Sequence, residues 1–278
     1  MAPARRAACV MGWPVKHSRA PIIHGYWIAK HALDCDFRLE AVPPEEFADF
    51  LAHLAERGYV GGSATMPHKE MALGLTLPDA RATAIGAANV IWLDGGKLRS
   101  TNSDVVGFIA ALDESAPGWD KHDKAVVFGA GGAARAVVYG LLERGVPRIH
   151  VHNRTPEKAA ALRDRFGPKV IPATVAQLPA ALAGAGLVVN ATSAGMVGYP
   201  DLDVDLSAVR SDAVVADVVY VPLETGLLRE AKTHGLRVSD GLGMLLHQAA
   251  ICFEKWFGVR PVVTPELRER VEQALRNP

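Results

Sequence analysis

The chain has 278 residues, 49% of them hydrophobic and 22% charged, and its 30 basic residues are balanced by 30 acidic ones. That composition excludes a disordered or fibrous protein and leaves no net field to draw in nucleic acid or an anionic membrane. The length exceeds one ordinary domain and suits two.

At the N-terminus, MAPARRAACVMGW holds an apolar run too short for a signal segment, and no stretch approaches transmembrane length. Arg5-Arg6 is a pair, not a basic arm. Cys9, Cys35 and Cys252 are odd in number, widely spaced and without a C-x-x-C pattern, so they read as reduced, mostly buried thiols of a cytoplasmic protein. No His/Cys cluster has metal-ligand spacing, and no metal is expected. His17, His24 and His31 recur at a fixed interval, which reads as coincidence on a helix.

Residues 7–11 form a short apolar run closed by Gly12, followed by a loop over 13–21 bracketed by prolines. Ser18 precedes Pro21 at the spacing that caps a helix, here over 22–31. Residues 37–42 are a second strand and 44–57 an amphipathic helix. A glycine-containing strand over 59–65 runs into Met66-Pro67-His68-Lys69. Lys69 therefore lies just past a strand end, at the opening of another helix, where a lysine is ordinarily a solvated surface charge. Residues 88–93 and 97–101 read as a hairpin across Asp94-Gly95-Gly96. Asn89 starts that hairpin and Asn102-Ser103-Asp104 ends it. Asp104 precedes a helix over 105–112, where capping is its ordinary role.

The stretch 124–135, KAVVFGAGGAAR, changes the picture. A buried strand over 125–128 stops at Gly129-Ala130-Gly131-Gly132-Ala133-Ala134, which fits G-x-G-x-x-G/A, and a helix-compatible segment over 133–143 follows at once. Glycines let the backbone approach a pyrophosphate, and the helix's unpaired N–H groups favour the anion. A second strand over 148–152 ends in Asn153-Arg154-Thr155. NAD-binding folds place an acid at this point for the ribose 2′-hydroxyl. Here Arg154 and Lys158 offer positive charge instead, which favours NADP and its 2′-phosphate. Further strands follow over 187–190, with the small-residue loop 191–195, then over 213–220 and 236–239. Residues 244–257 turn helical and strongly apolar, and Thr264 is placed to cap a final helix over 265–277. Strand alternating with helix makes this an α/β protein with a mostly parallel sheet in each half.

Taken together these stretches resemble the shikimate dehydrogenase family, nearly end to end. The resemblance rests on His17-Ser18-Arg19-Ala20-Pro21, Thr65-Met66-Pro67-His68-Lys69, Asn102-Ser103-Asp104, the glycine turn with Arg135, Asn153-Arg154-Thr155, Asn190-Ala191-Thr192-Ser193, and Asp240-Gly241-Leu242-Gly243-Met244 with Gln248. It implies an N-terminal α/β substrate domain over 1–104, completed by helices over 243–278, and a Rossmann-like, doubly wound NADP domain over 105–242. Substrate would lie in the cleft between domains, a usual place for a small-molecule site.

The implied reaction is reduction of 3-dehydroshikimate by NADPH, in the shikimate pathway of aromatic amino acid biosynthesis. A developing alkoxide needs positive charge and a proton, and a lysine ammonium supplies both. The resemblance assigns catalysis to Lys69 with Asp104, either as an oriented lysine or as a pair acting as a unit. It also implies that Thr65, Asn89 and Gln248 bind ring hydroxyls, that Asp104 grips one, and that Ser18 and Tyr220 bind the carboxylate. For NADP it implies Gly129, Ala130, Gly131, Gly132 and Ala133, the group Asn153, Arg154, Thr155 and Lys158, and Thr192. Val218, Gly241 and Met244 would border the nicotinamide.

Some positions depart from the family pattern. A second serine that usually joins Ser18 on the carboxylate is Ala20 here, and losing a hydrogen bond to a charged group costs about 1.5–3 kcal/mol. Ser63, His68 and Val90 also replace the usual residues. These changes bear on the preferred ring acid more than on the reaction, and a paralogue acting on quinate or another polyhydroxylated ring acid is the alternative. A non-catalytic nucleotide sensor is the third reading; Lys69 and Asp104 argue against it, because a sensor needs no proton shuttle. A homodimer is the expected assembly, with small molecules as the only other partners.

Overall fold

Strands between residues 6 and 101 build one six-stranded sheet and strands between 124 and 239 build another, in a computed structural model that describes residues 6–276. Arg5 of the basic pair and Asn277 of the last helix lie outside the described residues. By contact the chain divides into two units, 6–103 with 248–276 and 104–247.

The first unit runs β1 (Arg6–Gly12), α1 (Ala20–Lys30), β2 (Cys35–Ala41), α2 (Phe47–Ala52), β3 (Tyr59–Ala64), α3 (Lys69–Gly74), β4 (Leu77–Pro78), α4 (Ala80–Ile85), β5 (Val90–Asp94) and β6 (Lys97–Thr101). Its strand order is β2-β1-β3-β5-β6-β4. β5 alone runs against the others, because the Gly95-Gly96 turn folds it back on β6. The core gathers Met11, Phe47, Leu51, Leu54 and Ile91.

The second unit holds α5 (Asp104–Ser115), β7 (Lys124–Phe128), α6 (Gly132–Glu143), β8 (Arg148–His152), α7 (Pro156–Phe166), β9 (Val170–Pro172), α8 (Leu178–Leu182), β10 (Leu187–Asn190), β11 (Val214–Asp217), α9 (Gly226–Thr233) and β12 (Arg237–Ser239). All its pairings are parallel, in the order β12-β11-β10-β7-β8-β9. This is the doubly wound arrangement, with its switch point between β7 and β10, where ligands bind outside the carboxyl ends of strands. The central strands are apolar throughout because both faces are covered. Ala125, Val127 and Val189 feed one core, while Val126, Phe128 and Val188 feed the other.

α10 (Gly241–Phe257) carries the chain back to the first unit, which α11 (Pro265–Arg276) completes. Trp256 of α10 donates its indole N–H to the Ile91 carbonyl at 2.9 Å. It can do so because position 61 is glycine; a Cβ there would sit 2.5 Å from the indole ring. Thr264 caps α11 as expected, accepting the Leu267 N–H at 3.3 Å.

Several expected bounds shift. The helix over 44–57 ends at Ala52, because the backbone turns at His53 (φ −103°, ψ 17°), and Leu54 enters the core from a turn. α1 begins at Ala20 with Arg19 at its N-cap and no side-chain cap, so Ser18 does not cap it. Asp104 is the first residue of α5, inside the helix instead of before it. The strand over 213–220 stops at Asp217, and Met244 of α10 packs into the second unit's core.

Candidate functional site

In the first unit, polar residues gather at the carboxyl ends of β1 and β3. Thr65 follows β3 and donates its N–H to Met11 at the end of β1, 2.9 Å. The turn closes when His68 N–H reaches the Thr65 carbonyl at 2.8 Å, and Lys69 then opens α3. Asn89 enters the same framework through its backbone: its carbonyl accepts from Ala64, and Ala88 N–H donates to the Lys69 carbonyl. Thr65, Lys69 and Asn89 are therefore tied to one another by main-chain bonds, which fixes their side chains from below.

Side chains extend the set. Asn89 Oδ1 accepts the Ser103 N–H at 2.7 Å, so Nδ2 points the other way, to Ser103 Oγ at 3.1 Å and to Gln248 Oε1 at 3.2 Å. Ser18 Oγ accepts the Ala20 N–H at 3.3 Å, which leaves its own hydroxyl proton to give to a ligand. His68 is buried beneath Lys69's helix, stacked on Phe47 with centroids 4.2 Å apart. Its Nε2–H donates to the Val42 carbonyl at 2.8 Å. Burial pulls its pKa below the usual histidine value, with that hydrogen bond acting in the opposite direction.

In the second unit a cavity of about 380 Å³ lies at the carboxyl ends of β7, β8 and β10. That is within the usual range of about 300–1,000 Å³ for ligand pockets. Gly129, Asn153, Arg154, Thr155, Lys158 and Thr192 all line it, and among the described residues no carboxylate does. Gly129 sits at φ 109°, and a Cβ there would meet the Ala191 carbonyl at 2.8 Å, so only glycine lets β7 turn this tightly. Gly131 N-caps α6 with no side chain over the helix end, and a Cβ at Gly131 or Gly132 would meet open space. Ala130 lies in the turn between β7 and α6, and Ala133 is the second residue of α6. The donors available are two cations and hydroxyls, with backbone N–H groups at the helix start. This is a set that suits phosphate.

Val218 follows β11 and donates its N–H to the Asn190 carbonyl at 3.0 Å, and Gly241 N–H reaches the Val219 carbonyl at 3.3 Å. Tyr220 is half-buried in the same loop, Asp104 is buried, and Met244 is buried on α10.

Three residues support the site without an assigned role in the sequence. Asp217 closes β11 and accepts from the Thr225 hydroxyl at 2.7 Å, Val219 N–H at 2.9 Å and Asn190 Nδ2 at 3.0 Å. Burial pushes its carboxyl up to about 6 despite those donors. Asn190 in turn accepts from Thr192, so the loop lining the cavity hangs on Asp217. A lone acid ending an apolar strand was the available signal. Ser103 and His68 are the other two, and neither has a signature apart from its neighbours Asp104 and Lys69.

Three family descriptions match along the chain: Shikimate dehydrogenase substrate binding domain over residues 10–91, Shikimate / quinate 5-dehydrogenase over 114–210, and Shikimate 5′-dehydrogenase C-terminal domain over 241–276. A Shikimate dehydrogenase (NADP(+)) from Rhodopseudomonas palustris (strain TIE-1) is 60% identical over 275 residues, covering 99% of both chains. One from Nitrobacter hamburgensis is 58% identical over 273 residues, covering 98% of this chain and 96% of that one. Among solved structures, shikimate 5-dehydrogenase from Thermus thermophilus, in complex with NADP(H) and shikimate, superposes with a TM-score of 0.84 at 33% identity, covering 98% of each chain. Quinate dehydrogenase from Corynebacterium glutamicum, in complex with NAD, gives 0.88 at 30% identity, covering 96% of this chain and 98% of that one. The chain belongs to the shikimate dehydrogenase family.

Proposed function

We propose that this protein is an NADP-dependent shikimate dehydrogenase, an oxidoreductase that interconverts 3-dehydroshikimate and shikimate. The observation that carries the reading is identity of 60% over 99% of the chain with relatives of that name. The first unit is assigned substrate binding and the second NADP binding. The cofactor fits the residues present: Gly131 and Gly132 leave room for the pyrophosphate, and Arg154 and Lys158, with no acid beside them among the described residues of the cavity lining, suit a 2′-phosphate.

When bound, the cofactor supplies the hydride. Lys69 Nζ donates a proton to the ketone oxygen as charge develops there, and takes it back in the reverse direction. Asp104 orients Lys69 and accepts a hydrogen bond from a ring hydroxyl. Thr65, Asn89 and Gln248 bind the remaining hydroxyls, and Ser18 and Tyr220 the carboxylate. Gly129, Ala130 and Ala133 shape the turn and the start of α6, Asn153, Thr155 and Thr192 bind the adenosine end, and Val218, Gly241 and Met244 border the nicotinamide. On this reading the enzyme serves aromatic biosynthesis as a cytoplasmic homodimer. Its buried thiols Cys9, Cys35 and Cys252 suit a reducing compartment, and exposed Leu39 on edge strand β2 suits pairing of two copies.

A second reading, oxidation of quinate or another polyhydroxylated ring acid, is motivated by Ala20, a departure from the family pattern in the segment assigned to the carboxylate. Steady-state rates with shikimate and quinate decide between them. The first reading expects a higher kcat/KM for shikimate with NADP; a higher value for quinate selects the second, and no turnover of either contradicts both.

A further inference from the structure

The cavity at the end of β8 has a lining of two kinds. Arg154, Thr155 and Lys158 bring charge and a hydroxyl; Tyr199, Pro200 and Leu202 bring apolar surface. Cations and a hydroxyl account for a phosphate, but a phosphate has no use for an apolar surface. Tyr199 is 54% exposed, an unusual state for a ring of its size. Its backbone is not loose: Tyr199 N–H donates to the Met196 carbonyl at 2.8 Å, Gly195 N–H to Pro200 at 2.7 Å, and Val197 N–H to Val221 at 3.1 Å. Asn190 Nδ2 holds the start of the segment through the Ala194 carbonyl at 2.9 Å. The fold spends four hydrogen bonds on a turn that presents a bare aromatic ring to the cavity.

In a 2′-phosphorylated nucleotide the phosphate and the base sit on adjacent carbons of one ribose. A cavity that seats the phosphate on Arg154 and Lys158 therefore receives the base as well. A purine offers a flat face with little preference for polar partners, and aromatic side chains bind such faces by stacking.

We propose that Tyr199 is a cofactor-contacting residue whose ring forms the adenine-facing wall of this cavity. The inference rests on the NADP reading of the same site and adds a residue to it. The ring carries the effect, not the hydroxyl.

Calorimetric titration with adenosine 2′,5′-bisphosphate tests this without turnover. Wild type binds, Tyr199→Phe binds within about twofold of it, and Tyr199→Ala weakens binding about tenfold or more. Proton spectra of the bound bisphosphate add a readout of geometry: adenine protons shift upfield in wild type and Tyr199→Phe and lose that shift in Tyr199→Ala. Because Tyr199 is half exposed, thermal melts of the variants should match wild type and show that the fold is intact. Equal affinity in Tyr199→Ala overturns the inference while leaving the NADP reading standing. Failure of wild type to bind the bisphosphate more tightly than AMP overturns the NADP reading, and this inference with it.

Discussion

The side-chain amide of Asn89 donates to the Gln248 carbonyl oxygen at 3.2 Å, joining residues 159 positions apart in the chain. Because Ser103 N–H can only donate, Asn89 Oδ1 must face it, and this fixes the amide's orientation. Gln248 spends its oxygen on Asn89, so its own amide nitrogen is turned toward other acceptors. On the proposed reading those acceptors are ring hydroxyls.

Asn89→Asp tests this polarity. A carboxylate would place an acceptor against Gln248 Oε1, where the Asn89 amide now donates, and an unmet buried polar group costs about 1–3 kcal/mol. The expected result is a lower melting temperature and a KM for shikimate raised about tenfold or more, with the KM for NADP little changed. Equal increases in both would show that the Asn89–Gln248 pair does not serve the substrate.

Ala20→Ser restores a hydroxyl beside Ser18. One hydrogen bond to a carboxylate contributes about 1.5–3 kcal/mol, so shikimate should bind about tenfold more tightly or better. Ser18 Oγ already accepts the residue 20 N–H, so the new side chain enters at the first residue of α1, where the backbone geometry is set. Unchanged affinity would move the carboxylate away from this loop.

Arg154→Ala removes one of the two cations lining the cavity. The KM for NADP should rise about 10- to 100-fold, and that for NAD far less. Equal effects on both cofactors would mean that the arginine does not touch the 2′-phosphate.

His24 carries an acid liability. It is buried, stacked on Phe37 at 4.2 Å with Trp27, Phe253 and Trp256 around it, and its Nδ1 has no partner among the described residues. Burial lowers its pKa from 6.5 to about 3. The unfolded chain therefore binds a proton that the folded chain refuses. Stability from this group is complete above the unfolded pKa and is lost as pH falls toward 3, by an amount on the order of 3–5 kcal/mol. His24→Phe should match wild type near neutral pH and unfold at lower pH in acid. Identical acid midpoints would show that His24 does not limit acid stability.

Sequence legibility followed burial. β7 and β10 were visible because central parallel strands are continuous apolar runs. α7 leaves little apolar pattern because it buries only Ala159 and Leu162 and is rich in charged residues. Apolar spacing continues through Leu54 after the backbone has left the helix at Ala52, so the pattern over 44–57 is longer than the helix. Within the site, the glycine turn announces itself by local strain and spacing. Gln248 alone is a polar position on an apolar helix, and only the fold brings it to Asn89. Asp217 reaches Asn190 on another strand and Ser103 reaches Asn89, pairings that no local pattern records.

The proposed role of Lys69, giving the proton that completes the reduction, is tested by the turnover of Lys69→Ala at saturating 3-dehydroshikimate and NADPH, with NADPH affinity measured on the same protein. The expected kcat is lower by about 10²–10⁴-fold with cofactor binding unchanged. A variant that keeps wild-type kcat would contradict it.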